Sequence, residues 1–506
     1  MPGLSENDSA IRPIADIASD LIALRANPDE WRWSAGVLKF YRDFERHKDN
    51  PRAWRNLCDE LFAAGAHDVI ICLPVVEIGM VPLVVMRQRA VGHGGFHTGV
   101  SGLGGRALRW AYDCGSLREA GRKRLLEEID DFAGPKDKRR TLDFLFISHF
   151  DRDHINGVGD LMDRLDVGTV VLPYLSEPQR LGLIVEACAL DEAAATDANF
   201  LKAIINPAEW LRARGAKRVV QMRPDTGEGA SRVFGAEIDP DLSTAVGWSI
   251  GQTVFVPQNP GEDRLAGSSA EVSVGSGWVL VNGFNRLSDW CFVPHVTPVS
   301  SGASAALEQT LEELLKRDPE KETLTQAFQR KLDNAAFIPD MKAAYKRHEL
   351  GDANAISMSL YVGPRHDTGG VCWRKPLRTF LPDQDAGPGW LLTGDAKLAQ
   401  ARRRAQWLRF YAPVRQHVGA LMLPHHGSHL NFHGDLLKAA RDDALLFACK
   451  REKYGDPLHE DVWPHVRSRR HRIISDDPAT ALVQISGSSR LDGAEGKLRQ
   501  IADEWS

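Results

Sequence analysis

Two histidines and two aspartates fall within six positions of the stretch SHFDRDH: His149, Asp151, Asp153 and His154. They follow the apolar run LDFLFI and precede INGVGDLMDRL, whose apolar spacing predicts a helix. Four ligand-type groups buried together at a strand end repel and desolvate one another unless a cation joins them. Metal binding is therefore the economical reading. The competing reading is a charged surface loop in which an aspartate caps the helix.

Three later segments carry similar chemistry. In LLTGDAKL, Asp395 ends an apolar strand after a glycine, although a lone aspartate of this kind usually belongs to a turn. In LMLPHHGSHLNFH, His425 and His426 also follow a strand. Successive strand side chains face opposite ways, so both rings reach one point only if the strand has ended, and otherwise they are a surface pair. In KYGDPLHEDVW, Asp456 and His459 are each a candidate ligand or a turn residue.

These segments need strands and turns to bring them together. Residues 14 to 65 space their apolar residues as helices do, giving a helical extension over 1–68. Strands are predicted in VIICLPVVEIG, VPLVVMRQ, ALRWAYDCGS, LDFLFIS and TVVLPYL, and a helix in LREAGRKRLLEEIDDFAG. The glycine-rich loop GHGGFHTGVSGLGG is no dinucleotide fingerprint, because no helix pattern follows it. Residues 181–345 are richer in turn residues and read as an insertion or subdomain between two halves of one domain, 69–180 and 346–506. Strands resume in AISMSLYVG, GWLLTGD, GALMLPHHGS, ALLFACK and TALVQIS. The expected fold class is α/β, two sheets covered by helices.

Composition sets bounds. A chain of 506 residues with net charge −5 has no global attraction to nucleic acid. Its C-terminal region is locally basic, in ARRRAQWLRFYAPVR and HVRSRRHR, which is either a solvated helix face, the usual role of such a cluster, or a contact for nucleic acid. Trp407, Phe410 and Tyr411 lie among those arginines, either to stack bases or as the core side of an amphipathic helix. Seven scattered cysteines without a CxxC pair fit reduced, buried thiols in a cytoplasmic protein. No secretion signal is visible, and prolines, a glycine and Glu77 break the most apolar stretch into strands, so no membrane span is expected.

The order SHFDRDH, LLTGD, LPHHGS, YGDP resembles the metallo-β-lactamase fold hydrolases, most nearly the hydrolase domain of bacterial competence (DNA-uptake) channel proteins. VVEIGMVPLVV and WAYDCGS look like that family's first strands, and the likeness covers roughly 69–175 and 350–486. It implies an αββα sandwich holding two divalent metal ions. His149 and Asp151 would bind one, Asp153 and His154 the other, with Asp395 bridging and His426 completing the second site. His425 would face the substrate as a general acid or phosphate contact, making His425 and Asp153 the candidate catalytic residues, and Asp113 would steady the ligand loop from behind.

The chain departs from the family pattern in three places. Asp151 replaces a histidine, giving an oxygen-rich site that suits Mn²⁺ or Mg²⁺ as well as Zn²⁺. No clear further first-site histidine is present, His295 in FVPHVTP being the candidate, and Asp456 stands where the family has a histidine, leaving His459 as the other choice. The implied activity is hydrolysis by a water ionised between two cations, with a nuclease or phosphodiesterase favoured. Alternatives are a small-molecule phosphodiester, ester or lactam hydrolase, and a non-catalytic protein whose metals brace the fold while the N-terminal helices dock a protein partner.

Overall fold

The computed structural model of the chain describes residues 13–24, 57, 60, 81–101, 108–136, 139–190, 198–222, 224, 249–250, 255–256, 272–277, 279–282, 290–296, 301–318, 320–332, 338–347, 356–364, 370–375, 381–383, 387–450 and 458–488. Its strands are β1 (Val81–Gln88), β2 (His97–Ser101), β3 (Leu108–Tyr112), β4 (Arg140–Phe146), β5 (Leu165–Pro173), β6 (Arg218–Met222), β7 (Ser249–Ile250), β8 (Phe255–Val256), β9 (Val272–Gly277) and β10 (Val279–Asn282). They continue with β11 (Trp290–Val296), β12 (Met358–Pro364), β13 (Gly370–Lys375), β14 (Leu381–Asp383), β15 (Gly389–Leu392), β16 (Val418–Met422), β17 (Leu445–Cys449), β18 (His471–Ile474) and β19 (Leu482–Ser488). An eleven-stranded sheet runs β14-β13-β19-β1-β2-β3-β4-β5-β6-β9-β8, and an eight-stranded sheet runs β18-β17-β16-β15-β12-β11-β10-β7.

Both sheets are mixed. In the larger, β3 to β6 and then β9 are parallel neighbours, while β1, β2, β13 and β19 pair antiparallel. In the smaller, β15 to β18 are parallel, and β10, β11, β12 and β15 pair antiparallel. The parallel neighbours β15, β16 and β17 are apolar on both faces, as strands covered twice must be. β17 (LLFAC) is buried throughout, Leu445, Phe447 and Cys449 facing the other sheet while Leu446 and Ala448 face outward.

That alternation creates three cores. Between the sheets lie Trp110, Phe144, Phe146, Phe292, Trp390 and Phe447, among others. The outer face of the larger sheet is covered by helices α2 (Glu119–Ala133), α4 (Val158–Arg164), α5 (Glu177–Leu190), α6 (Ala198–Ile205), α7 (Pro207–Ala213), α8 (Ser301–Leu315), α9 (Leu324–Leu332) and α10 (Ile338–Arg347). Here α1 is Ile14–Leu24 and α3 the single turn Arg152–Ile155. The outer face of the smaller sheet packs against α11 (Ala401–Tyr411), with α12 (Trp463–Val466) nearby. The chain is thus an α/β protein with helices outside two facing sheets.

Residues 181–345, expected as an insertion or subdomain, contribute described strands to both sheets. Their strands extend both sheets, β6, β8 and β9 the larger and β7, β10 and β11 the smaller, and their helices share the outer core with α2. Within the expected helical extension, α1 is described, and most of 1–68 lies outside the described residues, as does the predicted strand VIICLPVVEIG. The glycine-rich stretch after β1 contains β2, the reason it carries no helix pattern. Among the described residues no helix is long and apolar enough to cross a membrane, and Cys114, Cys291 and Cys449 are buried and in no disulfide.

Candidate metal centre

The chemistry-bearing residues gather just beyond the C-terminal ends of β1, β3, β4, β15 and β16. This is the edge where the chain of an α/β sheet turns away and leaves a crevice. After β4 the chain enters α3 with Asp151 at the N-cap position, but its carboxylate makes no capping hydrogen bond. Instead Asp151 Oδ2 lies 3.4 Å from His149 Nε2, against the helix-cap reading. After β15, Gly394 adopts φ 52°, and the Asp395 backbone is pinned by a hydrogen bond to Ser357 Oγ (3.0 Å) and another from Asn431 Nδ2 to its carbonyl (2.7 Å). After β16 the backbone turns left-handed at His425 (φ 49°), His426 (φ 55°) and Gly427 (φ 78°). A left-handed turn, costly for residues with a Cβ, breaks the strand's alternation and carries both rings to one site.

The donor atoms converge closely. Asp395 Oδ1 is 3.3 Å from His154 Nε2, and its Oδ2 is 3.7 Å from His149 Nε2, 3.5 Å from His425 Nε2 and 3.9 Å from His426 Nε2. Asp153 Oδ2 lies 3.1 Å from His426 Nε2 and 3.8 Å from both His154 Nε2 and His93 Nε2. His149, His154, Asp153, Asp395 and His426 are buried, while His93, Asp151 and His425 are 34–41% exposed and form the rim.

The outer hydrogen bonds fix how the rings face. His426 Nδ1 lies 2.8 Å from the Cys449 carbonyl, which can only accept, so that nitrogen carries the proton. His154 Nδ1 is 2.8 Å from Asp113 Oδ2. Ser148 Oγ donates to the same oxygen (2.7 Å), leaving Ser148 Oγ to accept from His149 Nδ1 (2.8 Å), and the Ser148 N–H donates to Asp113 Oδ1 (2.6 Å). In all three rings Nδ1 is engaged outside and Nε2 turns inward, and the Nε2 atoms of His149 and His154 are buried without a hydrogen-bond partner. Inward lone pairs facing carboxylates are held together only by protons or cations. This is how metal-ligating histidines are oriented by the groups behind them.

Charge balance agrees. Burial pushes His154 down, but Asp395, Asp153 and Asp113 outweigh it and hold the imidazolium well above the ordinary histidine range. For His149, burial and His154 act downward and Asp151 with Asp395 prevail upward. Burial alone would raise Asp153 and Asp395, yet the neighbouring His154 and His426 hold both carboxylates ionised to unusually low pH. The pocket thus stabilises positive charge between fixed anions, the requirement for a divalent cation.

Of the expected residues, His149, Asp151, Asp153, His154, Asp395, His425 and His426 come together, with Asp113 behind them. The partition differs from expectation. His154 groups with His149 and Asp395, and Asp153 groups with His426 and with His93, which sequence reasoning passed over. Burial, then the nearby His426, lowers the His93 pKa to about 3, so its ring is neutral. The remaining candidates lie elsewhere. His295 is buried on the outer face of the smaller sheet, its ring 4.2 Å from that of Phe410, and supplies no ligand here. His459 stacks on His429 at 3.7 Å near Asp461, a separate surface group. Asp456 lies outside the described residues. Trp407, Phe410 and Tyr411 are buried in the outer core, so the base-stacking alternative for them is set aside. Of the basic stretches, Arg402, Arg409, Arg415, Arg467 and Arg470 are exposed, whereas Arg472 is buried and bonded to the Ala479 and Thr480 carbonyls.

No protein-family model and no curated protein matches the chain.

Proposed function

We propose that the chain is a hydrolase of phosphodiester bonds dependent on divalent metal ions, with nucleic acid as the favoured substrate and a metallo-β-lactamase type of fold. The observation that carries this is the set of three imidazoles, His149, His154 and His426, whose Nδ1 atoms are tied outward while their Nε2 atoms meet the carboxylates of Asp153 and Asp395. Divalent ions held there would acidify a water and stabilise the charge that develops on a phosphoryl oxygen. Asp395, within 4 Å of four of the histidines, suits a bridging position. His425, half-buried at the rim, is placed to give a proton to the leaving oxygen. Three carboxylates among the ligands favour Mn²⁺ or Mg²⁺ alongside Zn²⁺. The exposed Arg415, Arg467 and Arg470 stand just before β16 and β18, at the sheet edge opposite these strand ends, and lend the site no charge for a polyanion.

A second reading, a small phosphodiester as substrate, is favoured by the burial of Trp407, Phe410 and Tyr411, which removes the expected base-stacking surface. The test is incubation of purified protein with Mn²⁺, Mg²⁺ or Zn²⁺ and linear DNA, RNA, a chromogenic bis-phosphodiester or a β-lactam. The account expects degradation of polymer that disappears in Asp153→Ala. Cleavage of the small diester alone selects the second reading, and inertness toward all four with every metal overturns both.

A further inference from the structure

We infer that His93 is a protein ligand of the second cation position, completing a triad with Asp153 and His426. The inference rests on the metal-centre reading above and goes beyond it, since the loop between β1 and β2 is thereby assigned to the metal site.

Three observations meet here. First, His93 Nε2 is 3.8 Å from Asp153 Oδ2, His426 Nε2 is 3.1 Å from the same oxygen, and one donor atom from each of the three residues lies within 4.8 Å of the others. A tetrahedral cation with bonds of about 2.0–2.2 Å spaces its donors by roughly 3.3–3.6 Å, a spacing that the two separations from Asp153 Oδ2, 3.1 and 3.8 Å, bracket. The His93 and His426 rings sit 4.0 Å apart at 36°.

Second, the loop is fastened to the residue that supplies the carboxylate. The Gly95 N–H donates to the Asp153 carbonyl (3.1 Å), the Gly115 N–H donates to the Gly95 carbonyl (2.9 Å), and the Leu117 N–H donates to the carbonyl of His93 itself (2.8 Å). Third, the glycines permit that approach: a Cβ on Gly95 would lie 2.9 Å from His154 Nδ1, and one on Gly115 would lie 2.4 Å from the Asp153 carbonyl carbon. Neither glycine can carry a side chain while the loop holds this position, so the backbone sets His93 against Asp153 before any ion arrives.

The test is calorimetric and elemental titration of chelator-stripped full-length protein with Zn²⁺ or Mn²⁺. Wild type is expected to bind two equivalents. His93→Ala should keep one equivalent at wild-type affinity and lose the other by at least about tenfold. His93→Gln, which keeps the bulk of the side chain, should do the same, which guards against a collapsed loop in the alanine variant. Two equivalents retained at wild-type affinity in both variants overturn the assignment. Loss of both equivalents overturns it too, making His93 a structural residue. Failure of the wild type to bind any divalent ion defeats the underlying functional proposal as well, and is thereby distinguished from failure of the His93 assignment alone.

Discussion

Asp113 decides the orientation of two of the inward-facing histidines, His149 and His154, from behind the cluster. It accepts hydrogen bonds from both the backbone N–H and the hydroxyl of Ser148 and from the Nδ1–H of His154, while the Ser148 oxygen accepts from His149 Nδ1. Replacing it with asparagine puts an amide donor where one of those acceptors stood and frees the His154 tautomer. Asp113→Asn should weaken divalent-ion affinity by about 10–100-fold with the fold intact. A chelator-competition titration beside circular dichroism checks this, and unchanged affinity would count against the tautomer argument. At this scale the sequence was readable where ligand types crowd together, as in SHFDRDH. It was opaque for His93, one of two histidines in a glycine-rich stretch, whose proximity to Asp153 comes from the pairing of β1 with β2 and β2 with β3. The weak signal was the glycine pair after it, required because Gly95 has no room for a Cβ.

At the scale of elements, the turn after β16 shows how the fold spends stability on its site. His425 and His426 hold left-handed backbone that a residue with a Cβ adopts at a cost of about 1–2 kcal/mol each. His425→Gly should therefore leave thermal stability unchanged or raised by up to about 1 kcal/mol while activity falls, whereas His425→Val should be less stable than the glycine variant by about 1–2 kcal/mol. Denaturant unfolding of the two variants measures the difference, and equal stabilities would show that the turn is unstrained. Strand periodicity correctly located β4, β15, β16 and β17, since each is an apolar run buried on both faces. It could not show that two consecutive histidines share one target, because that depends on where the strand stops and which way the chain turns. His295 misled for the opposite reason. It lies within the apolar strand β11, whose outward face is core beneath α11.

Over the whole molecule, two facing sheets bring the strand ends of one half to those of the other, and two buried histidines outside the site carry a consequence for acid stability. His97, against Trp390 between the sheets, and His295, against Phe410, have no hydrogen-bond partner on either ring nitrogen. Burial lowers both to about 3, with Arg89 adding to the effect at His97. An unfolded chain takes up these protons near pH 6.5 and the folded chain does not until about 3, so stability is full above pH 6.5 and falls through that window as pH drops. Each histidine contributes a slope of up to about 1.4 kcal/mol per pH unit. His295→Phe should flatten the decline between pH 6.5 and 4, and a variant with the wild-type slope would refute the assignment. The α/β class and the paired sheets were legible in the strand-rich halves. The contribution of 181–345 to both sheets was not, because β7 and β8 are too short to show a period and the pairing of β6 with β9 is non-local.

The central claim is that the inward Nε2 atoms of His149, His154 and His426, with Asp153 and Asp395, hold divalent cations. Anomalous diffraction from crystals of the protein grown with Zn²⁺ or Mn²⁺, collected at the metal's absorption edge, tests it most directly. The account predicts two peaks, one among His149, His154 and Asp395 and one among His93, Asp153 and His426. Crystals grown at saturating metal concentration with no anomalous peak within bonding distance of these atoms would contradict it.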